Sequence, residues 1–512
     1  MTSLITDRYA SKIQGVLSCF DRVVIQGNLP HICYADGMAR WLRTNEVRLY
    51  DYPRFVEPFN EKLRENAARL AKDSGCEIEY VTASLSKEKR IAQILAERGT
   101  APGLVHVFSS MELCRTYRAR YDDAKKMAFL KPDKGKCLHY YFYFIDASLG
   151  LCYVRVPTWC PFAIQFYFNG HNWLARKLDR AKVTYRMLDN AFVELGDVEK
   201  AQKLSDAFDT RQLHSTLDRY AALCCPAAGE FDEKYHWTLS QVEYSTDVIF
   251  RRQSDLKPLY SAISRTAIHA AKASDVATFL GRKLTGNYQN EAGNDFSTRI
   301  EGTRIKHRMG PVSIKMYDKA AIVLRIETTA NDVRFFSHHR RVEQRGGTSV
   351  FKLAPLKKTI HSLHDLRQLM SAANRRYLEF ISALDDPSPA LKALQRASAP
   401  TTYSGRRYRG LNFFSADDDL LLQALSRGEF AISGFRNKDI RGLLKDKKPA
   451  WISRCLKRLR VHGLLKSIGH RYKYYLSELG KRVVLAGQRV RDLVVIPALS
   501  PPIQVLPKTR TI

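Results

Sequence analysis

The chain breaks most sharply between residues 385 and 412. Asp385-Asp386-Pro387-Ser388-Pro389 opens this stretch, and Ala399-Pro400-Thr401-Thr402-Tyr403-Ser404-Gly405-Arg406-Arg407-Tyr408-Arg409-Gly410 closes it. Proline removes a backbone donor and glycine removes a side chain, so a run built from them with Ser and Arg reads as a linker. It divides the 512 residues into a long N-terminal part and a short C-terminal one. At about 100–200 residues per domain, the long part holds several. The expected organisation is an α/β domain at 1–135, an aromatic-rich α+β domain at 136–235, and an α+β domain with a strand pair and a closing helix at 236–384. The linker at 385–412, a separate C-terminal domain at 413–492 and a tail at 493–512 follow. The fold class expected is therefore α/β and α+β multidomain, with a C-terminal winged helix-turn-helix domain.

In the first domain Phe20 to Gln26, Glu77 to Thr82 and Leu104 to Phe108 read as strands. Helical patterns at Phe59 to Ala71 and Lys87 to Arg98 separate them, an alternation that favours a parallel sheet covered by helices. In the second, His139 to Asp146 and Leu151 to Pro157 flank a turn at Ala147 to Gly150, a hairpin signature. A helix from Phe162 through Leu178 is predicted next, with Asn169-Gly170 as a point of interruption. Val183 to Leu188 and Ala191 to Leu195 then pair across Asp189-Asn190. In the third, Gln241 to Arg251, Arg304 to Arg308, Ser313 to Tyr317 and Ile322 to Thr328 are strand-like. The stripe Leu363, Leu366, Met370, Ala373, Tyr377 and Ile381 marks a helix from about Ser362 to Leu384 with one buried side.

Beyond the linker, helices are predicted at Ala416–Ser426, at Lys438–Leu444 capped by Asn437, and at Ala450–His462 behind Pro449 and ended by Gly463. Leu464 to Ile468 and Tyr472 to Leu476, joined at Gly469-His470, form the hairpin of a wing. In the third helix Ile452, Cys455, Leu456 and Leu459 face inward, while Trp451, Arg454, Lys457 and Arg458 face outward. An outward face of this kind suits the major groove, with Lys447 and Lys448 ahead of it and His470, Arg471 and Lys473 on the wing. From Arg436 to Arg482 there are 15 Lys and Arg against 3 Asp and Glu, out of a whole-chain net charge of +31. Charge and topology thus agree on double-stranded DNA as the partner, through counterion release. The run from Pro449 to Leu465 resembles the winged helices of MarR-like bacterial regulators, which implies DNA binding. The whole chain resembles a set of bacterial proteins of unassigned function through Cys137 to Asp146, Phe168 to Ala175 and Ile314 to Lys319, a resemblance that implies no particular activity.

Three constellations are candidates for chemistry. Alternation on Ile314–Lys319 and Leu324–Thr328 sets Lys315, Tyr317, Arg325 and Glu327 on one sheet face, opposite Ile314, Met316, Leu324 and Ile326. Tyr317 would attack a phosphodiester, Glu327 would hold a metal and the two cations would steady the phosphate; both Tyr317 and Glu327 should then be partly exposed in a basic groove. The pattern weakly resembles strand pairs of plasmid and phage replication initiators, without their histidine-hydrophobe-histidine motif. The second constellation is acidic, Asp21 and Asp146 with Asp189 and Glu194, as in the two-metal sites of ribonuclease-H-like transposases and nucleases. The third is aromatic: Tyr140, Phe142, Phe144 and Tyr153 would stack on single-stranded nucleic acid. His106, His139, His171 and His307 have no triad partners legible in sequence.

The ten cysteines form no Cys-x-x-Cys pair, no phosphate-binding glycine loop is present, and neither a signal-peptide layout nor an apolar run of membrane length occurs. A cytoplasmic protein without a membrane partner is expected, with no resident metal and no cofactor. Mg²⁺ enters only with a nuclease activity. The functional expectation is a DNA-binding protein using its C-terminal winged helix, as in a transcriptional regulator. The alternative is a DNA-processing protein of a mobile element, replication-initiator-like or transposase-like.

Overall fold

A computed structural model describes residues 4–82, 86–99, 101–282, 296–301, 304–344, 347–385, 388–468 and 473–499. The chain is mixed α/β and forms two compact units, Met1–Asp385 and Asp386–Ile512.

The first unit is built on one sheet. Its strands are β1 (Ile13–Asn28), β2 (Ile78–Tyr80), β3 (Gly103–Asp122), β4 (Met127–Asp146), β5 (Gly150–Pro157) and β6 (Ile164–Asn169). After a separate hairpin of β7 (Tyr185–Leu188) and β8 (Ala191–Leu195), the sheet continues with β9 (His236–Phe250), β10 (Phe296–Glu301), β11 (Arg304–Met309), β12 (Val312–Lys319) and β13 (Val323–Ala330). The eleven strands lie in the order β10-β11-β12-β13-β9-β1-β6-β5-β4-β3-β2. The segments expected as three domains, 1–135, 136–235 and 236–384, therefore share one sheet, because β1 pairs with β6 on one side and β9 on the other. The parallel sheet expected for the first segment is confined to β2 against β3. Every other neighbouring pair is antiparallel; the long β3 and β4, for example, are joined by a tight turn that permits no crossover.

The predicted helix Phe162–Leu178 is instead β6 followed by the helix Gly170–Arg180. Asn169, read as an interruption, is the helix cap, its side chain accepting from the amides of His171 and Asn172. Gly170 permits this start: a Cβ there would stand 2.1 Å from the carbonyl oxygen of Phe20.

One face of the sheet is apolar. Phe20, Val23, Val242, Tyr244, Ile314, Met316, Leu324 and Ile326 are buried there, and the helix Leu363–Asp385 lies against β9 and β13 with its whole predicted stripe buried. Each such side chain contributes roughly 1.5–3 kcal/mol of burial. Asn374 of that helix accepts from Thr328 Oγ1 at 2.6 Å and donates to the Tyr244 carbonyl at 3.0 Å, pinning the helix to the register of β9 and β13.

On the opposite face, Tyr141, Tyr143 and Tyr153 join Phe108, Ile91 and Ile94 in a smaller core beneath the helix Lys87–Arg98. Tyr140, Phe142 and Phe144 belong to the main core. The aromatic strands are therefore packing, and these rings are not free to stack on bases.

The second unit begins earlier than the linker reading allowed. A helix, Ser388–Ser398, and a hairpin, Thr401–Tyr403 with Arg406–Tyr408, occupy the 385–412 stretch. Ala397 and Leu411 are buried in the same core as Leu421, Leu425, Ile440, Ile452, Leu456 and Val484. His462 holds the segment from the other side, with ring nitrogens 2.7 Å from the Arg396 carbonyl and 3.0 Å from that of Arg409. Pro and Gly punctuate this stretch without unfolding it, because its few apolar side chains find a core.

Helices Ala416–Leu425, Asn437–Leu443 and Pro449–Val461 follow. A three-stranded sheet then places Lys473–Leu476 between Phe435–Arg436 and Leu465–Ile468, and the helix Glu478–Val490 runs on through a π-helical turn at Arg491–Val495 into Ile496–Leu499, so the first residues expected as tail are helical. Gly463, at φ 73°, ends the third helix in the left-handed region, with the Leu464 amide donating back to the Leu459 carbonyl. Among the described residues no helix is long and apolar enough to cross a membrane. All ten cysteines are free, and all but Cys33 are buried.

Candidate functional site

Alternation on β9 sets Gln241, Glu243, Ser245 and Asp247 on the face opposite Val242, Tyr244, Thr246 and Val248. β13 pairs Arg325 with Asp247 and Glu327 with Ser245, and β12 pairs Lys315 with Glu327 and Tyr317 with Arg325. Residues directly opposite in an antiparallel pair share a face, so all these polar groups stand on one side. β1 joins them through a bulge. Phe20 pairs with Tyr244 and Val23 with Val242, leaving Asp21 and Arg22 together opposite Glu243. Two residues facing one bend the strand and re-aim its side chains; here Asp21 and Arg22 both turn to the polar face while Phe20 and Val23 stay in the core.

The result is a buried polar cluster at the centre of the sheet. Arg325 is inaccessible to solvent. Its Nε and Nη2 donate to the two oxygens of Asp247 at 2.7 and 2.6 Å, its Nη1 donates to Asp21 at 3.3 Å, and Nη2 also reaches the Asn190 carbonyl at 2.7 Å. Asp21 further accepts from Asn169 at 2.7 Å and Asn190 at 2.6 Å. His171 lies between, with Nδ1 3.2 Å from Asp21 and Nε2 2.9 Å from Arg325.

Burial alone would raise the pKa of both aspartates, but His171 and Arg325 hold Asp21 well below the usual carboxylate range, and Arg325 with His171 lowers that of Asp247. Arg325 in turn is held above its ordinary value: burial opposes its charge, but Asp247 and Asp21 outweigh it.

Beside this group lies a second one nearer the surface. Lys315 Nζ donates to Glu327 at 2.7 Å and to Glu243 at 3.2 Å, and the Tyr317 hydroxyl donates to Glu327 at 2.5 Å. Burial and the neighbouring Glu327 raise the Glu243 carboxyl above its usual range. Burial opposes the Lys315 charge, yet Glu327 and Glu243 raise its pKa. Oxygens of Asp21, Glu243 and Glu327 lie within 4.8 Å of one another, the one group among the described residues with spacing for a metal ion. At about 2.1 Å per Mg–O bond, oxygens around one ion stand about 3–4 Å apart, so the three carboxylates would have to close up, and Lys315 to leave Glu243 and Glu327, before they could hold a single cation.

The predicted quartet thus shares its face and its contacts, but not its exposure. Glu327 is 2% exposed and Arg325 is fully enclosed, so neither lines an open groove. Tyr317 is half-buried. Its hydroxyl is committed to Glu327, and burial with that carboxylate pushes its pKa up. It is a donor to Glu327, not an attacking phenolate. The acidic set of Asp21, Asp146, Asp189 and Glu194 does not assemble. Asp146 accepts from the turn amides of Ser148 and Leu149 and from Arg219, Glu194 pairs with Arg186 on the surface, and Asp189 is exposed in the β7–β8 turn. Glu243 and Asp247 escaped sequence reasoning although the period-two run Gln241-x-Glu243-x-Ser245-x-Asp247 is visible. His171 and Asn169 escaped because Asn169-Gly170 was read as a break within one helix and not as the start of a helix after a strand. Of the other histidines, His139 and His307 are buried with burial lowering both to about 4, and His106 lies 3.3 Å from Glu79.

In the second unit Arg454 is exposed on the third helix and Lys457 is half-exposed over the ring of Tyr403, 4.8 Å from its centroid. Trp451 is half-buried beneath Lys447, which is tied to Asp417 at 2.6 Å. Lys448 is exposed, as are Ala450, Ser453 and Arg460. Arg458 does not belong to the outward face. It is 6% exposed and donates to Asp418, itself fully buried on the first helix, at 2.5 Å. Helix Ala416–Leu425 covers that flank, so the free face runs through Ala450, Ser453, Arg454, Lys457 and Arg460. Lys473 is half-exposed. His470 and Arg471 lie outside the described residues.

No known protein family, curated protein or solved structure matches the chain.

Proposed function

We propose that the protein binds duplex DNA through its C-terminal unit, acting as a winged helix whose third helix, Pro449–Val461, enters the major groove. The observation that carries this reading is the uncovered basic face of that helix, Lys448, Arg454, Lys457 and Arg460, in a helical unit with a three-stranded sheet. Arg454 is suited to a guanine edge, and Lys448 and Arg460 to phosphates on either side. The strong positive charge of the chain supports the same partner. The test is an equilibrium titration of the full chain with a labelled duplex at about 50 and 200 mM salt. With six or more phosphate contacts the affinity falls about a thousandfold or more between them. Absent or salt-insensitive binding contradicts the proposal.

A second reading, DNA strand processing, is favoured by the approach of Asp21, Glu243 and Glu327. Three carboxylates holding Mg²⁺ would let it polarise a phosphodiester and activate a water only from the side of the half-buried Glu243 and Lys315, because Asp21 and Glu327 are closed to solvent. Under this reading Mg²⁺ or Mn²⁺ raises the melting temperature of the full chain, by the equivalent of about 2.7 kcal/mol at a hundred times Kd, and Glu243→Gln abolishes the shift and any metal-dependent nicking of supercoiled DNA. A melting curve blind to divalent ions removes it.

A further inference from the structure

The stretch 387–416 carries Lys392, Arg396, Arg406, Arg407 and Arg409 and no acidic residue. Its middle is the hairpin of Thr401–Tyr403 with Arg406–Tyr408. Ser404 at φ 49° and Gly405 at φ 74° close it in the left-handed region, a two-residue turn whose twist matches that of its strands. The base is locked. The Leu411 amide donates to the Ala397 carbonyl at 2.8 Å, and Gly410 lies so close to Ser398 that a Cβ would stand 1.8 Å from the Ser398 carbonyl oxygen. His462, at the end of the third helix, meets the Arg396 and Arg409 carbonyls on either side of the hairpin. The outer end is fixed by Tyr403, whose ring lies under the Lys457 ammonium. Lys457 is five residues, about 7.5 Å, back along the helix from His462. The hairpin therefore runs beside the uncovered face of Pro449–Val461 over its C-terminal half.

Register decides what the hairpin presents there. Tyr403 pairs with Arg406 and Thr401 with Tyr408, so these four share one face, and Thr402 with Arg407 makes the other. The face that meets Lys457 is thus the one that carries Arg406, and it holds no acid. Arg409 is spent on Asp418 at 3.0 Å. Arg406 and Arg407 are exposed, and neither meets a carboxylate among the described residues.

We propose that this hairpin is a second DNA contact of the C-terminal unit, lying on the phosphate backbone that borders the groove, with Arg406 and Lys457 on neighbouring phosphates and the Tyr403 ring steadying the Lys457 ammonium. The inference rests on the reading of the third helix as DNA-binding and adds residues outside that helix. Charge selects the occupant: Arg406 and Lys457 stand together with no acid between them, in a stretch that has none, and such a surface attracts a polyanion. Size selects the place. A helix with its side chains is about 10–12 Å across and fills a major groove about 12 Å wide. An element packed along its flank stays outside the groove and meets the phosphates at the rim, contacts that position the protein without reading sequence.

The experiment titrates the full chain, wild type beside Arg406→Gln and Arg407→Gln, with a labelled mixed-sequence duplex at about 50 and 200 mM salt. Both substitutions fall at exposed positions and should leave the melting temperature unchanged. Expected for Arg406→Gln is binding about tenfold weaker at the lower salt, with the salt slope reduced by about 1. Arg407→Gln, on the opposite face, should keep the wild-type slope. Equal losses from the two variants would mean a diffuse field and no contact, an unchanged Arg406→Gln would mean that the hairpin stands clear of DNA, and tighter binding would mean that it shields the helix. Each of these overturns the hairpin inference while the C-terminal reading stands. If the wild type binds no duplex at all, both fall.

Discussion

Arg325 donates to Asp247 through two nitrogens and to Asp21 through a third, all out of reach of water. Its removal would leave two aspartates, held below their usual range by it and by His171, buried near each other with only His171 between them. Arg325→Met is therefore expected to cost about 3–5 kcal/mol, the usual penalty for stranding one side of a buried pair, measured by urea unfolding; a loss under about 1 kcal/mol would mean that water or rearrangement rescues the cluster. The sequence shows the limits of spacing at this scale. Period-two alternation correctly put Lys315, Tyr317, Arg325 and Glu327 on one face, because that depends only on each strand's own pleat. It could not say that Asp21, 304 residues from Arg325 along the chain, closes over them. Helical spacing failed in the same way at Arg458: it locates a flank of the helix, whereas Asp418 on another helix decides whether that flank is covered.

The elements were legible where one periodicity held for their whole length. The Leu363–Asp385 stripe is buried as drawn, and β9, β12 and β13 fall within a few residues of the patterns that marked them. They were illegible where the period changed within an apolar run. Phe162, Phe166, Leu174 and Leu178 fit a helix, but the chain is strand up to Asn169 and helix from Gly170. That junction is also what aims Asn169 and His171 at Asp21. Gly170 makes it possible, so Gly170→Ala drives a methyl into the Phe20 carbonyl. Expected is a loss of about 1–3 kcal/mol in stability, accompanied in NMR by displaced His171 ring signals. An alanine variant as stable as the parent, with His171 unmoved, would refute this account of the junction. The bulge at Asp21-Arg22 had no sequence signal, since two adjacent charged residues in a strand give no hint that both face the same way.

At the scale of the molecule, the break near residue 385 does separate two compact units, yet the stretch after it is folded. Its proline, glycine and arginine were read as solvent-exposed chain, while Ala397 and Leu411, too sparse to show a period, supply the burial that orders it. The one large sheet was out of sight for a related reason: pairing between β1 and β9 joins residues more than 200 positions apart, and no local pattern encodes which distant strand is chosen. The proposed reading of duplex DNA by the exposed face of the helix Pro449–Val461 turns on Arg454. The measurement compares wild-type full chain and Arg454→Ala in titrations against the preferred duplex and against altered duplexes. Predicted is a loss of about 1–3 kcal/mol on the preferred sequence, a narrowed difference between sequences, and an unchanged melting temperature. Equal affinities for wild type and variant on every duplex would contradict the claim.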